Sequence, residues 1–116
     1  MLILENKHYG HVVMSNHAYQ RAEKRIPKKY KVKLKERLIQ SFWNAVPVDM
    51  KKGFAIHRMI SNGYKPVLYL WDRGWNVRYV ISENVHENSG LRTIITLENV
   101  NNSNSLCEIE RVGREA

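Results

Sequence analysis

The sequence predicts an α+β fold in which two N-terminal helices pack on a four-stranded antiparallel sheet. The first observation is a change of hydrophobic period. Apolar residues recur every three or four positions as far as residue 46, and short β-branched or aromatic runs follow. The second observation is the pair of short connections Ser61-Asn62-Gly63 and Asp72-Arg73-Gly74, which are typical of hairpins and therefore favour antiparallel pairing.

Two short apolar runs precede the first helix, at residues 2–4 and 12–14. They predict an edge strand or an ordered N-terminal arm. Ser15 or Asn16 follows, and either side chain can accept a hydrogen bond from an amide of the first helical turn. The first helix is therefore expected to begin here, and Pro27 is expected to end it.

A second helix is predicted from about residue 29 to residue 45, shortly before Pro47. Each helix carries one apolar stripe, and we expect both stripes to face the sheet because only the strands remain to cover them. The stripe residues are Ala18, Ala22, Ile26, Leu38, Ile39 and Phe42.

Four strands are predicted after the helices, at residues 54–60, 65–71, 75–82 and 91–100. Residues 1–100 are expected to form one domain together with the N-terminal arm. Residues 101–116 are expected to form a polar tail, in which residues 106–109 add a short edge strand.

The positive charge is concentrated in the first half of the chain. The formal net charge is +8, and residues 1–58 hold 13 of the 19 Lys and Arg but only 4 of the 11 Asp and Glu. A surface of this kind predicts a polyanionic partner, in the first place RNA or another nucleic acid. The residues expected to bind it are Lys24, Arg25, Lys28, Lys29, Lys31, Lys33 and Arg37.

The composition excludes several other classes of protein. Cys107 is the only cysteine, which rules out an intrachain disulfide and a cysteine-rich zinc site. His8 and His11 have the spacing of some metal ligands, but no third clustered ligand accompanies them, so we expect no metal and no other cofactor. No apolar run approaches the ~20 residues of a membrane span, and we expect a cytoplasmic protein with no membrane partner.

His17 and Arg21 are the first candidates for phosphate chemistry. They lie one helical turn apart, so both side chains can converge on one phosphodiester. An imidazole exchanges a proton near neutral pH, and a guanidinium binds two phosphate oxygens at once. Simpler roles stay open, since His17 can cap or pack the helix, and Arg21 with Arg25 can form a solvated face.

The first predicted strand carries two further candidates, His57 and Arg58. Successive side chains of a strand point to opposite faces, so only one of the two can face a given site. We expect Arg58 on the core face and His57 on the open face of the sheet, beside Arg78 and Thr96. His57 would act as acid or base opposite His17, with help from Arg78 and a neutral hydrogen bond from Thr96.

Four aromatic residues surround the second turn of the predicted sheet. Tyr69, Trp71, Trp75 and Tyr79 lie on both sides of residues 72–74. Exposed aromatic side chains next to arginines can stack on nucleic-acid bases. Packing between neighbouring strands is the other explanation for them.

The run His17-Ala18-x-x-Arg21-x-x-x-Arg25, with a short strand before it and a meander ending in Thr93-Ile94-Ile95-Thr96, resembles a small branch of the barnase–colicin–RelE ribonuclease superfamily. The resemblance covers residues 12–100. It departs at Ile26-Pro27, where a glycine usually follows the second arginine. The resemblance implies a metal-independent, toxin-like endoribonuclease that cleaves RNA by 2′-OH transesterification and has an acidic antitoxin or immunity protein as partner.

Two other interpretations remain open. The chain can be a non-enzymatic module of the same fold, whose basic helices bind nucleic acid or an acidic protein. It can also be a regulatory protein that binds a host enzyme through its basic face. A titratable pair such as His17 and His57 favours the enzyme, because a protein that only binds has no need of one.

Overall fold

The computed structural model of the chain describes residues 2–25, 33–63, 65–100 and 109–112. These residues form seven strands and three helices. The strands are β1 (Leu2–Asn6), β2 (Gly10–Met14), β3 (Val46–Met50), β4 (Val67–Asp72), β5 (Val77–Ser82), β6 (Arg92–Asn99) and β7 (Ile109–Val112). The helices are α1 (Asn16–Arg25), α2 (Leu34–Asn44) and α3 (Lys52–Ser61).

Strands β1–β6 form one mixed sheet in the order β1-β2-β6-β5-β4-β3, and β7 pairs with the outer edge of β3. Among the described strands, β2 and β6 are the one parallel pair. The meander β4–β5–β6 is antiparallel, as predicted. The predicted fold class is nevertheless wrong, because the sheet is larger and mixed, and a third helix packs on it.

The predicted strand at residues 54–60 is the helix α3. Ile56, Met59 and Ile60 are spaced by three and four residues, so this short apolar run suits a helix as well as a strand. The supposed hairpin glycine, Gly63, ends the helix instead. Its φ is 66° and its amide donates to the carbonyl of Ile60, in the left-handed conformation that glycine often adopts after a helix.

Residues 46–50 also differ from the prediction, which assigned no strand to them. Helix α2 ends at Asn44, before Pro47 as expected, but the chain then continues directly into β3. At the N-terminus both apolar runs are strands, and they form the hairpin β1–β2. The edge strand expected at residues 106–109 lies outside the described residues except for Ile109, where β7 begins.

The sheet has one core on each face. Helices α1 and α2 cover the larger core, and α3 covers a smaller one through Ala55. Of the predicted stripe, Ala18, Ala22, Leu38 and Phe42 are buried as expected. Ile39 is 47% exposed, so its placement is wrong. Ile26 lies outside the described residues.

Helix α1 takes the position of a strand beside the second half of β6. Strand β2 pairs only with residues 92–94 of β6, and the chain then continues as α1. The Ser15 amide donates to the Ile94 carbonyl, and the Arg25 guanidinium donates to the Leu97 carbonyl. Because Ala18 and Ala22 are fully buried, the helix can approach the sheet closely. The adjoining side of the helix, with His17, Arg21 and Arg25, lines a groove.

Candidate functional site

A groove of about 280 Å³ opens between α1 and α3. Three side chains of α1 form one wall, the end of α3 forms the other, and strands β5 and β6 form the floor. We call it the basic groove. Its main lining residues are His17, Arg21, Arg25, Arg58, Ser61, Asn62, Val80, Thr96 and Glu98.

The α1 wall presents one row of side chains, since His17, Arg21 and Arg25 are spaced by four residues. The Arg21 Nε donates to the His17 Nε2 over 3.4 Å, which leaves this imidazole nitrogen as an acceptor. Ser15 caps the helix, as predicted, because its Oγ accepts from the Ala18 amide over 3.1 Å. This cap fixes the start of α1 and therefore the position of the His17, Arg21 and Arg25 side chains.

Three guanidinium groups line the groove, and their positive charges repel one another. Burial lowers the pKa of the Arg25 guanidinium, and the charges of Arg21 and Arg58 lower it further. Like charges held this close favour the binding of an anion, which relieves the repulsion. Two helices that are far apart in the sequence therefore supply the positive charge of one groove.

Glu98 on the groove floor binds two arginine side chains, the groove residue Arg58 and the buried Arg78. Its Oε2 accepts from the Arg78 Nε over 2.9 Å and from the Arg78 Nη2 over 2.7 Å. Its Oε1 forms an ion pair with Arg58. Arg78 is only 3% exposed, so Glu98 neutralises a buried charge while it holds α3 against the sheet.

The structure brings together several of the predicted site residues and separates others. His17, Arg21, Arg25 and Thr96 line the groove. Arg78 lies beneath it and acts on it through Glu98. His57 is exposed on α3 and does not line the groove, so its predicted position on the open sheet face is wrong. The cause is the helix that replaces the predicted strand.

Of four further polar lining residues, Arg58, Ser61, Asn62 and Glu98, sequence reasoning missed the last three and wrongly placed Arg58 on the core face of a strand. The first three lie at the end of α3, where a strand and hairpin were expected. Glu98 did carry a signal, because it is the only charged residue between Thr93 and Val100 in an otherwise apolar or neutral strand. A lone carboxylate in such a strand indicates a buried pair or a site.

The predicted basic surface is only partly described. Lys24, Lys33 and Arg37 are exposed. Lys28, Lys29 and Lys31 lie outside the described residues, so their predicted role in binding nucleic acid remains a prediction. The arginine side chains of the basic groove, in contrast, are all among the described residues.

Within residues 2–25, 33–63, 65–100 and 109–112, no three His, Cys, Asp or Glu side chains are grouped as metal ligands. His11 lies 3.7 Å from Glu5, measured from its Nε2 to the carboxylate Oε2. No helix in these ranges has the length and apolar character that a bilayer crossing requires.

Comparison of the chain with known proteins assigns no family to it. No family model matches the chain, and comparison with characterised proteins and with solved structures gave no significant match. The resemblance to the barnase–colicin–RelE superfamily therefore stays a prediction. The groove combines an imidazole, three guanidinium groups and neutral hydroxyl donors.

Proposed function

We propose that the basic groove binds RNA and cleaves its phosphodiester bonds without a metal ion, by attack of a ribose 2′-OH on the adjacent phosphorus. The observation that supports this most directly is the convergence of His17 with Arg21, Arg25 and Arg58. Cations from two helices can hold the nonbridging oxygens, and an imidazole beside them can move a proton.

The groove residues divide the work of the reaction. Arg21 turns from the His17 Nε2 to a phosphoryl oxygen when RNA binds, and the freed Nε2 takes the 2′-OH proton. The 2′ oxygen then bonds to phosphorus, the bond to the 5′ oxygen breaks, and water reaching the open groove protonates that oxygen. Arg21, Arg25 and Arg58 stabilise the charge that develops on the phosphoryl oxygens. Thr96 supplies a neutral hydrogen bond from the floor.

Glu98 is a positioning residue in this scheme. Both of its oxygens are engaged by arginines, so its effect on the substrate passes through Arg58. His57 is not needed, because it lies outside the groove. The pH dependence of the rate should therefore lack the falling limb that a second histidine acting as general acid would give.

The test is incubation of the purified protein with a short RNA in the presence of a chelator, followed by mapping of the product ends. We expect 2′,3′-cyclic phosphate and 5′-hydroxyl ends. The same RNA with 2′-deoxyribose throughout should bind and stay intact. His17→Ala should lower the rate by about 10²–10⁴-fold.

His57→Ala is the matched control, because this exposed histidine lies one residue before Arg58 but outside the groove lining. It should keep the wild-type rate. Cleavage that survives in His17→Ala, or products with 3′-phosphate formed directly, would contradict the proposal.

The non-enzymatic alternative has one observation in its favour. Arginines engage both Glu98 oxygens, so this carboxylate is not available to move a proton. His17 is the one histidine among the described groove residues, so the groove offers no second acid or base beside it. A module that only binds would retain RNA in the groove, with salt-sensitive affinity, and leave it intact. An acidic antitoxin or immunity protein, which the resemblance implies, would compete with RNA for the same cations.

A further inference from the structure

A second cavity, of about 410 Å³, lies beside the basic groove, where β2, the start of α1 and the loop between β5 and β6 meet. We call it the side pocket. Its volume lies within the ~300–1,000 Å³ that is usual for sites holding small organic groups. Its main lining residues are Val13, Ser15, Asn16, His86, Asn88 and Thr93. None of these residues lines the basic groove.

The floor of the side pocket belongs to the same face of the sheet as the floor of the basic groove. Val13 and Thr93 are register partners on β2 and β6, so their side chains lie next to each other. The residues that follow them, Met14 and Ile94, belong to the larger core. Because side chains alternate along a strand, Val13 and Thr93 face the other side of the sheet, where the groove residue Val80 lies.

The side pocket and the basic groove adjoin along two elements. On α1, Asn16 lines the pocket and the next residue, His17, lines the groove. On β6, Thr93 lines the pocket and Ile95 lines the groove, and two residues span about 7 Å along a strand. A nucleic-acid strand with a phosphate at His17 can therefore place the base of a neighbouring nucleotide in the pocket.

The outer wall of the side pocket is a loop whose conformation is fixed by its own hydrogen bonds. The His86 amide donates to the Leu91 carbonyl over 2.9 Å, and the Gly90 amide donates to the His86 carbonyl over 2.8 Å. The Asn88 amide donates to the His86 Nδ1 over 3.2 Å. The neutral imidazole therefore carries its proton on Nε2, which makes this nitrogen a hydrogen-bond donor.

The side chains of the pocket suit a flat, neutral heterocycle with a polar edge. Val13 and the methyl group of Thr93 form an apolar floor, and the His86 imidazole is a flat ring on which a base can stack. The side-chain amides of Asn16 and Asn88 can donate to and accept from a base edge. None of the described lining residues is Lys, Arg, Asp or Glu, so the pocket suits a base better than a phosphate.

We infer that the side pocket binds one unpaired base of the RNA, from a nucleotide next to the phosphate that His17 and Arg21 contact. The inference rests on the proposed function, because the basic groove has to hold that phosphate. Bases of a duplex are already paired and stacked, so the pocket selects a single strand. It also gives the protein a base preference at one position, which contacts to phosphates alone cannot supply.

The first test is an NMR titration with single-stranded hexamers of 2′-deoxyribose, which lack the attacking 2′-OH and stay intact. One hexamer carries bases, and the matched probe has the same backbone with every base absent. Both should shift the signals of Arg21 and Arg25, because both carry phosphates. Only the hexamer with bases should shift the amide signals of residues 86–91. Equal shifts of this loop with the two hexamers, or none with either, overturn the inference.

The second test measures the affinities of both hexamers for variants of the pocket. The wild type should bind the hexamer with bases about 5- to 150-fold more tightly than the probe, the range expected for stacking of one base. His86→Ala should remove most of this difference and leave the affinity for the probe unchanged. Asn16→Ala should reduce the difference less, because it removes one hydrogen-bonding group and keeps the ring.

Val85→Ala is the matched control for these variants. Val85 is 54% exposed and lies one residue before His86, but it does not line the side pocket. This variant should keep the full difference between the two hexamers. If Val85→Ala and His86→Ala lose it equally, the pocket is not the site of the base. If His86→Ala does not fold, Asn16→Ala and the wild-type titration decide.

The outcomes separate this inference from the cleavage proposal. If RNA with 2′-OH groups stays intact while the loop still distinguishes the two hexamers, cleavage is refuted and the base pocket is supported. If RNA is cleaved and the hexamers bind equally well, the inference is refuted and cleavage is supported. Failure of both hexamers to bind contradicts both proposals.

Discussion

At the scale of single residues, Glu98 has the largest expected effect on stability. It pairs with Arg78, which is 3% exposed, and with Arg58, whose side chain is 27% exposed. Glu98→Gln takes the carboxylate from a buried cation and should lower the free energy of unfolding by on the order of 3 kcal/mol. Arg58→Gln, at the more exposed pair, should lower it by about 1 kcal/mol or less.

Urea denaturation of the two variants beside the wild type measures the difference. Similar losses for Glu98→Gln and Arg58→Gln would show that burial of Arg78 does not control the cost. Arg58→Gln is also expected to weaken RNA binding. Measuring both binding and unfolding on this variant therefore distinguishes the contribution of Arg58 to the groove from its contribution to folding.

Tyr79 should make the free energy of unfolding fall measurably at alkaline pH. Burial raises the pKa of Tyr79 above its ordinary value of 10.0, the Ser41 hydrogen bond opposes this, and Asp72 adds to it. The folded chain therefore keeps the phenol proton where the unfolded chain loses it. The stability that this provides is complete below about pH 10 and falls as the pH rises further, by up to ~1.4 kcal/mol per unit.

Tyr79→Phe should lose the hydrogen bond to Ser41, at a cost of about 1 kcal/mol. It should also show a flatter decline of stability above pH 10 than the wild type. Unfolding free energies measured in urea between about pH 9 and pH 11 test both expectations. Parallel pH profiles for the two proteins would contradict the assigned titration.

The sequence allowed part of the site to be predicted at this scale. His17, Arg21 and Arg25 follow a four-residue spacing, which depends only on local helix geometry, and they do form one wall of the groove. The opposite wall could not be found in this way. Arg58 reaches Glu98 through a tertiary contact, and no local pattern encodes such a contact.

At the scale of elements, the close approach of α1 to β6 defines one side of the basic groove. Ala22 is fully buried at this contact. Ala22→Leu should therefore overpack it and lower the free energy of unfolding by about 1–3 kcal/mol. It should also weaken RNA binding, because the row of His17, Arg21 and Arg25 would shift.

Gln20→Leu is the matched control, since Gln20 is exposed on the same helix. Its stability should change by no more than about 0.5 kcal/mol. Thermal and urea unfolding measure the first effect, and a binding titration measures the second. If both leucine variants behave alike, the contact between α1 and β6 is looser than the structure indicates.

Helices and strands were predictable where the residue pattern fitted only one type of element. Strands β4, β5 and β6 combine β-branched residues with clear turn signals, and they occur close to the predicted ranges. The run at residues 54–60 fitted two periods, and an Asn-Gly pair fits a hairpin as well as a helix end. Packing of Ala55 against the second face of the sheet decides between them.

At the scale of the whole molecule, the uneven charge should make the proposed RNA binding strongly dependent on salt. Each phosphate contact changes the logarithm of the affinity by about −0.7 per decade of salt for a single strand. Replacing Lys28, Lys29, Lys31 and Lys33 by Gln should therefore flatten the slope by up to about 3 if all four contact phosphates. Binding titrations over a range of salt concentrations measure it.

Lys65→Gln is the control for this series, because Lys65 is exposed and lies outside the basic groove. Its slope should match the wild type. An unchanged slope in the fourfold variant would mean that the basic segment is a solvated face, and that the arginines of the groove account for the binding.

The overall topology was the least predictable property. The parallel pairing of β2 with β6 joins segments at opposite ends of the described chain, and it involves only three residue pairs. Hydrophobic period describes each strand but not its partner. The sequence therefore predicted the sheet's antiparallel centre and left the position of the N-terminal hairpin open.

That hairpin has a further consequence for self-association. Strand β2 occupies the hydrogen-bonding edge of residues 92–94, and α1 covers the rest of β6. A chain cut after Met14 would expose this edge beside fully buried residues such as Ile94. Unpaired edges of this kind recruit strands from other molecules. Proteolytic loss of the first 14 residues should therefore make the chain prone to form intermolecular sheets and to precipitate.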